Sequence, residues 1–389
     1  MIDVVLQPGR ERSLRRRHPW VLSGAVARVE GAAEPGAEVC VRAAGGEVLG
    51  FGHLSPSSRI RVRLFALGKE PPAPDWIGER IARAVRRRAE SPLLPPTDAL
   101  RLVNAEGDDL PGLVVDRYAE TVVVKLTGAG MALRREAVAS ALREATGAAA
   151  GFERADPVAA RREGLPARQG PLWGAPPGGA VLVRERERLY RVDLLSGQKT
   201  GFYLDQRDAR DLVQALARGR RVLDLFCYTG GFGVAAARGG AARVTGVDSS
   251  AAALELAGEN LALNAPGVAA LLVRGDGFEY VRREAEAFDL LVVDPPPLAR
   301  SARDVAHACR AIKDVLLHAL RRAAPGALLL AFSCSHHVGP ELFRKVAFAA
   351  ALDAGRSARV LRTLGASADH PVSLDHPEGA YLTGLLLET

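Results

Sequence analysis

Between residues 221 and 332 the sequence alternates two kinds of segment: apolar stretches at 221–226, 243–248, 269–273, 288–293 and 326–332, separated by segments of helical periodicity. Strands this apolar are buried on both faces, which a chain achieves by laying them parallel and covering the sheet with helices. The C-terminal half is therefore expected to be α/β and Rossmann-like. Sheets of this kind bind ligands at the carboxyl ends of their strands. The acids fall there: Asp224, Asp248, Asp276 and Asp294 each stand at or just past a strand end.

Arg221-Val222-Leu223-Asp224-Leu225-Phe226-Cys227-Tyr228-Thr229-Gly230-Gly231-Phe232-Gly233 reads as a strand, a tight turn and a helix starting around Gly233. Gly230 and Gly231 lack the Cβ that would keep a ligand away from the backbone. Dinucleotide-binding folds place G-x-G-x-x-G here, whereas this chain has D-x-F-x-x-x-G-G. A carboxylate before the turn repels a pyrophosphate and suits the cationic amino group of a methionine moiety, which points to S-adenosylmethionine rather than NAD. Asp248, 24 positions beyond Asp224, suits the ribose hydroxyls, and Asp276 with Gly277 suits the adenine amine. Phe226, Tyr228 and Ser249 are expected to border the same ligand. Any one of these acids could merely cap a helix; the three together, with the Gly-Gly turn, carry the reading.

Strand 288–293 leads into Asp294-Pro295-Pro296-Pro297, and strand 326–332 into Ser333-Cys334-Ser335-His336-His337. If these strands are neighbours, a carboxylate and a thiol emerge beside the cofactor. Carbon 5 of cytosine is a poor nucleophile until a thiolate adds at carbon 6 and turns the ring into an enamine. Cys334 is the expected nucleophile. Asp294 either donates to N3 when protonated or accepts from the exocyclic amine when ionised. The base that removes the C5 proton stays open among His336, His337 and water. Cys227 is the rival thiol, placed to meet cofactor or core first, while Cys40 and Cys309 read as packing residues. Neither a cysteine zinc site nor another metal site is expected.

At 389 residues the chain exceeds the length at which one core stops growing, so two or three domains are expected. Residues 1–68 alternate apolar and polar positions, as in Ile60-Arg61-Val62-Arg63-Leu64-Phe65, and suggest a small barrel or sheet. Lys69 to Pro74 is a proline-rich connector. A helix follows with Ile77, Ile81 and Val85 on one face, then strands within 99–127, a helix near 131–145 and a Gly/Pro-rich loop at 170–179. The net charge of +7 favours a polyanionic partner. Within residues 1–70, eleven basic residues face seven acidic ones, and Arg15, Arg16 and Arg17 precede Trp20, an aromatic that could stack on a base. Residues 1–20 hold five arginines and no apolar run that could serve as a signal-peptide core, so export is not expected. With no long uncharged stretch and no paired cysteines, a reducing cytoplasm and no membrane association are expected.

These blocks, in order, resemble the PUA-containing bacterial large-subunit ribosomal RNA cytosine-C5 methyltransferases. The resemblance runs through Arg15 to Trp20, Glu106-Gly107-Asp108, Pro111 to Asp116, Gly197-Gln198-Lys199-Thr200-Gly201-Phe202-Tyr203-Leu204-Asp205-Gln206-Arg207, the cofactor turn, Asp294-Pro295-Pro296, the Cys334 segment and Asp369-His370-Pro371. It implies a PUA-like RNA-binding domain at 1–68, a central α+β domain at 75–185 and a class I methyltransferase domain with a seven-stranded mixed sheet at 186–389. It implies S-adenosylmethionine as cofactor, with Thr200, Gln206 and Arg207 beside it, and Cys334 as the single nucleophile. The implied partner is large-subunit ribosomal RNA, bare or early in assembly, with a homodimer left open. Relatives usually carry Ser where Cys227 stands. Two other readings remain at this stage: methylation of an exocyclic base nitrogen, and a non-catalytic RNA-binding assembly factor.

Overall fold

The computed structural model of the chain describes all residues except Met1, Ala33, Pro176, Pro177 and Arg300. It forms two compact units, Met1–Gly179 with Ala368–Gly379, and Ala180–Ser367 with Ala380–Thr389.

The first unit opens with β1 (Ile2–Leu6), β2 (Trp20–Leu22), β3 (Val26–Glu30), β4 (Glu38–Arg42), β5 (Val48–Leu54) and β6 (Ile60–Leu67), in the sheet order β2-β6-β5-β4-β1-β3. The period-two alternation buries Val4, Leu6, Val39, Val41, Val62 and Leu64 in one small core. A second sheet follows: β7 (Ala99–Asn104), β8 (Leu113–Tyr118), β9 (Thr121–Leu126), β10 (Ala150–Glu153) and β11 (Gly170–Trp173), in the order β11-β10-β9-β8-β7. Helices Trp76–Ala89 and Arg135–Thr146 supply Ile81 and Leu142 to its core. Phe51 and Phe65 of the first sheet reach that same core. The stretch expected to be a loop at 170–179 instead starts with β11, antiparallel to β10. Pro171 is tolerated because the strand is an edge, and Trp173 packs its ring where Gly151 has no Cβ.

The second unit begins with a hairpin, β12 (Val181–Glu185) and β13 (Arg188–Val192). Then come β14 (Arg221–Leu225), β15 (Arg243–Asp248), β16 (Ala269–Arg274), β17 (Phe288–Val293), β18 (Ala323–Ser333), β19 (Arg359–Leu364) and β20 (Thr383–Glu388). They form a seven-stranded mixed sheet in the order β16-β15-β14-β17-β18-β20-β19, with β14 to β18 parallel and β20 antiparallel to both neighbours. Leu223, Leu225, Leu291, Val293, Leu329 and Ala331 bury one face of it beneath helix Val305–Arg322. The strand order reverses direction on either side of β14, and crevices at such switch points take ligands. The described residues contain no helix long and apolar enough to cross a membrane.

Candidate active site

The turn after β14 is bent by three left-handed residues, Phe226 at φ 63°, Tyr228 at φ 49° and Gly230 at φ 78°. Such geometry costs a residue with a Cβ and persists where surroundings impose it. Two backbone contacts hold it: Tyr228 N–H donates to Asp248 Oδ2 at 2.9 Å, and Asn260 Nδ2 donates to Thr229 O at 3.0 Å. The helix begins at Gly231, two residues earlier than the sequence suggests. Asp224 lies beneath the turn, buried, with Oδ2 accepting Gly233 N–H at 3.0 Å. Its Oδ1 has no hydrogen-bond partner among the described residues. Burial raises this carboxyl well above the ordinary range, against the pull of the Gly233 bond. Asp248 also accepts Ser250 N–H through Oδ1, and Asp276 caps its helix by accepting Phe278 and Glu279 N–H groups.

A cavity of about 210 Å³ opens at these strand ends. Phe226, Tyr228, Gly231, Asp248, Ser249, Asp276 and Gly277 line it, together with Gln206. Gly277 lets Phe226 lie close, for a Cβ there would come within 2.8 Å of the ring. Phe278, which the sequence reading passed over, sets its ring 5.1 Å from that of Phe226. Two aromatic faces, a strand-end acid and a second buried acid with an open oxygen suit a ligand carrying an aromatic base, a ribose and positive charge. Asp224, Gly230, Thr200 and Arg207 stand behind the lining rather than in it. Arg207 is buried beside Glu185, whose carboxylate resists desolvation and is pulled down to about 2 chiefly by Arg210.

The strands bearing Asp294 and Cys334 are parallel neighbours, β17 and β18. Ser335 ties their ends together: its Oγ accepts Leu298 N–H at 3.2 Å and Ala299 N–H at 3.3 Å. Cys334 Sγ sits 3.7 Å from Pro295 O, and both Cys334 and Asp294 line the same cavity as the cofactor-suited residues. Gln206 Nε2 donates to Asp294 Oδ2 at 3.0 Å. Burial, and then the charge of Asp205, push the Asp294 carboxyl up to about 7, with Lys199 and Gln206 opposing. Burial and Asp294 push the Cys334 thiol up to about 12, with Lys199 opposing. Cys227 also borders the cavity but is buried against Gly246, and burial raises its thiol well above the usual range. His336 and His337 are exposed and lie outside the cavity lining.

Models of protein families match twice: S-adenosylmethionine-dependent methyltransferase over residues 144–364, and a PUA-like domain over residues 4–67. Ribosomal RNA large subunit methyltransferase I of Shewanella amazonensis is 41% identical over 390 residues, covering 99% of this chain and 98% of its own. Its namesake from Erwinia tasmaniensis is 39% identical over 388 residues and 98% of each chain. The chain belongs to this methyltransferase family. Its cofactor is S-adenosylmethionine. A SAM-dependent methyltransferase from Streptococcus mutans shares the fold over 100% of both chains, with TM-score 0.84 at 23% identity. A methyltransferase crystallised with SAH matches over the same span with TM-score 0.83 at 23% identity.

In the first unit of this methyltransferase, the basic run lies on the surface. Arg15 pairs with Glu47 at 2.5 Å and Arg17 with Asp375 at 3.0 Å, while Arg16 is exposed. Trp20 is half-buried and already engaged: Nε1 donates to Glu106 at 2.7 Å, and its ring lies 4.4 Å from that of His376. The resemblance set the Lys199–Arg207 segment beside the cofactor but gave no separate role to Lys199, Tyr203 or Asp205, which line the cavity with Cys334, nor any to Tyr381, whose hydroxyl donates to Asp205. The signal for the first three was the block 197–207, where one cation and one acid flank an aromatic; Tyr381 had none.

Proposed function

We propose that this methyltransferase moves a methyl group from S-adenosylmethionine to carbon 5 of a cytosine in large-subunit ribosomal RNA, through a covalent bond between Cys334 and carbon 6. One observation carries the reading: a thiol and a carboxyl that titrates near neutrality share a cavity with residues suited to the cofactor. The relatives' name supplies the RNA, and a basic surface on residues 1–68 supplies a place for phosphates.

In this reading Phe226 and Phe278 hold the adenine and Asp248 with Ser249 the ribose. Tyr228, Gly231, Asp276 and Gly277 complete the walls. Asp224, below the turn, keeps Oδ1 open as an acceptor, and a bound cationic group would favour its ionised form; Gly230, Thr200 and Arg207 brace the wall from behind. When bound, the cofactor supplies an electrophilic methyl group. Cys334 gives its proton to ionised Asp294 as the S–C6 bond forms, and Asp294 passes that proton to N3, so the ring does not accumulate charge. Gln206 keeps Asp294 oriented for both transfers. Once carbon 5 carries the methyl group, its proton leaves to water, the C6–S bond breaks, the sulfur departs as thiolate, and Asp294 takes back the N3 proton.

The test is incubation of the protein with labelled cofactor and bare ribosomal RNA, followed by nucleoside mass analysis. The expected product is 5-methylcytidine, absent with Cys334→Ala. Near-normal turnover by Cys334→Ala, or label on an exocyclic nitrogen, would overturn the covalent reading. A cytosine must leave its stack before attack, so bare RNA is expected to outperform assembled subunits; equal labelling of the two contradicts that part.

A further inference from the structure

Lys199 has no part in the steps above, yet separate observations converge on it. Its backbone is left-handed, with φ 52°, a conformation that non-glycine residues hold only when their surroundings impose it. Here the surroundings do: Gly197 N–H donates to Asp193 O at 3.2 Å, Gln198 N–H donates to the Tyr228 hydroxyl at 2.8 Å, and that hydroxyl donates to Gly201 O at 3.0 Å. The turn aims the side chain into the reacting end of the cavity. The ammonium stands 4.2 Å from the Tyr203 ring centroid and 5.7 Å from that of Tyr381, and pairs with Asp205 Oδ2 at 2.5 Å. The Tyr381 hydroxyl donates to the same oxygen at 2.6 Å.

Among the described residues lining the cavity, two carry positive charge, Lys199 and Arg210. Arg210 is committed to structure: Nε and Nη2 bind the two oxygens of Glu185 and Nη1 donates to Tyr203 O at 2.8 Å. Lys199 lines the cavity and keeps about a third of its side chain, 32%, exposed. Composition adds a further point. Five of the 52 basic residues are lysines, so a chain that writes positive charge as arginine nearly throughout keeps a compact ammonium at this place. Arginine's planar fork is not its equivalent between two rings.

The geometry points to Lys199 as a positioning residue for the reaction: from its seat on Asp205 between Tyr203 and Tyr381, it stabilises the thiolate of Cys334 and so makes the sulfur nucleophilic. The inference rests on the reading of Cys334 as the nucleophile. A backbone hydrogen bond at Cys334 itself favours ionisation, whereas burial, Asp294 from the end of β17 and Asp205 from the segment before helix Arg207–Leu216 oppose it. Lys199 works in the other direction. Its charge is needed most as the thiol proton moves to Asp294 and negative charge develops on the sulfur approaching carbon 6.

The test reads the sulfur directly, without RNA. Wild-type protein and Lys199→Ala are alkylated with iodoacetamide at about pH 9, and the rate at Cys334 is followed by peptide mass analysis with Cys40, Cys227 and Cys309 as references. Loss of the cation is expected to slow Cys334 about tenfold, the effect of one unit in thiol acidity. Ethylammonium chloride, able to enter the vacated slot, is expected to restore most of that rate, whereas sodium chloride is not. Lys199→Gln keeps the length and a donor for Asp205 while removing the charge, so it separates charge from folding and is expected to show the same slowing. Alkylation of Cys334 at the wild-type rate in either variant would overturn the inference. Turnover by Cys334→Ala would instead overturn the nucleophile assignment, so the two failures are told apart.

Discussion

In the proposed mechanism Asp294 is two things at one place, a proton acceptor for a thiol and an acid recessed from water. With its carboxyl at about 7 against an ordinary 3.8, the folded state binds more protons than the unfolded state between those values. Stability contributed by this group is therefore present at low pH and lost as pH rises through that window. Asp294→Asn removes the ionisation cost, so the variant is expected to be more stable than wild type at pH 8, by about 4 kcal/mol, with the gap closing towards pH 4. The same variant has no carboxylate to take the thiol proton and should lose about 10²-fold or more in kcat. Calorimetric melts at several pH values, with turnover on the same samples, check both halves; a variant that is less stable at pH 8 defeats the argument. In wild type, kcat/KM should rise with pH through about 7 and then level, because ionised Asp294 must be present to receive the proton.

At the scale of elements, the wall proposed to hold the cofactor is two strand-turn-helix units pressed together, one carrying Phe226 and the other Gly277. A Cβ at Gly277 would approach Phe226 ring carbons at 2.8 and 2.9 Å, and that ring is backed by Phe278. Gly277→Val is therefore expected to push the Phe226 ring into the adenine position and weaken S-adenosylmethionine binding by about tenfold or more, the cost of a misplaced aromatic face. Titration calorimetry reads this, and unchanged affinity would show that the base lies elsewhere. These units were legible in the sequence because alternation of apolar strand and helix, with acids at the strand ends, depends only on local order. The β12–β13 hairpin was not. Its burial depends on Asn260 and Asn264, which bond Arg191 and Leu189 from a helix some 70 residues on, and on the ion cluster of Glu185 with Arg188 and Arg210. Nor could the sequence tell a strand-end acid that lines a cavity from one that braces it, since Asp224 and Asp248 differ in which backbone N–H groups they meet.

At the scale of the whole molecule, linear boundaries cannot describe the chain, because residues 368–379 return to the unit built by residues 1–179. Asp369-His370-Pro371, quoted for resemblance without a role, does its work there: Asp369 Oδ2 accepts Arg101 N–H at 2.9 Å, and Pro371 O accepts Asn104 Nδ2 at 2.9 Å. Such long-range pairing leaves no periodic trace. Net charge, by contrast, is read directly as +7 and makes a claim about the whole protein's dealings with RNA. Many arginines are neutralised by partners, as Arg15 is by Glu47, so affinity should rest on those that exchange an internal acid or a counterion for phosphate. On a single strand each neutralised phosphate releases about 0.7 counterion, so as few as three contacts lower affinity roughly 20-fold over a fourfold rise in salt. Binding of the Cys334→Ala protein to a labelled ribosomal RNA fragment, measured by anisotropy across that range, should fall at least this steeply. S-adenosylmethionine affinity on the same protein should barely move, because in the proposed site its charge is met inside a cavity by fixed acids rather than by displaced ions. RNA affinity that stays flat with salt would mean that the basic surface is a solvated face and that recognition lies in shape and base contacts alone.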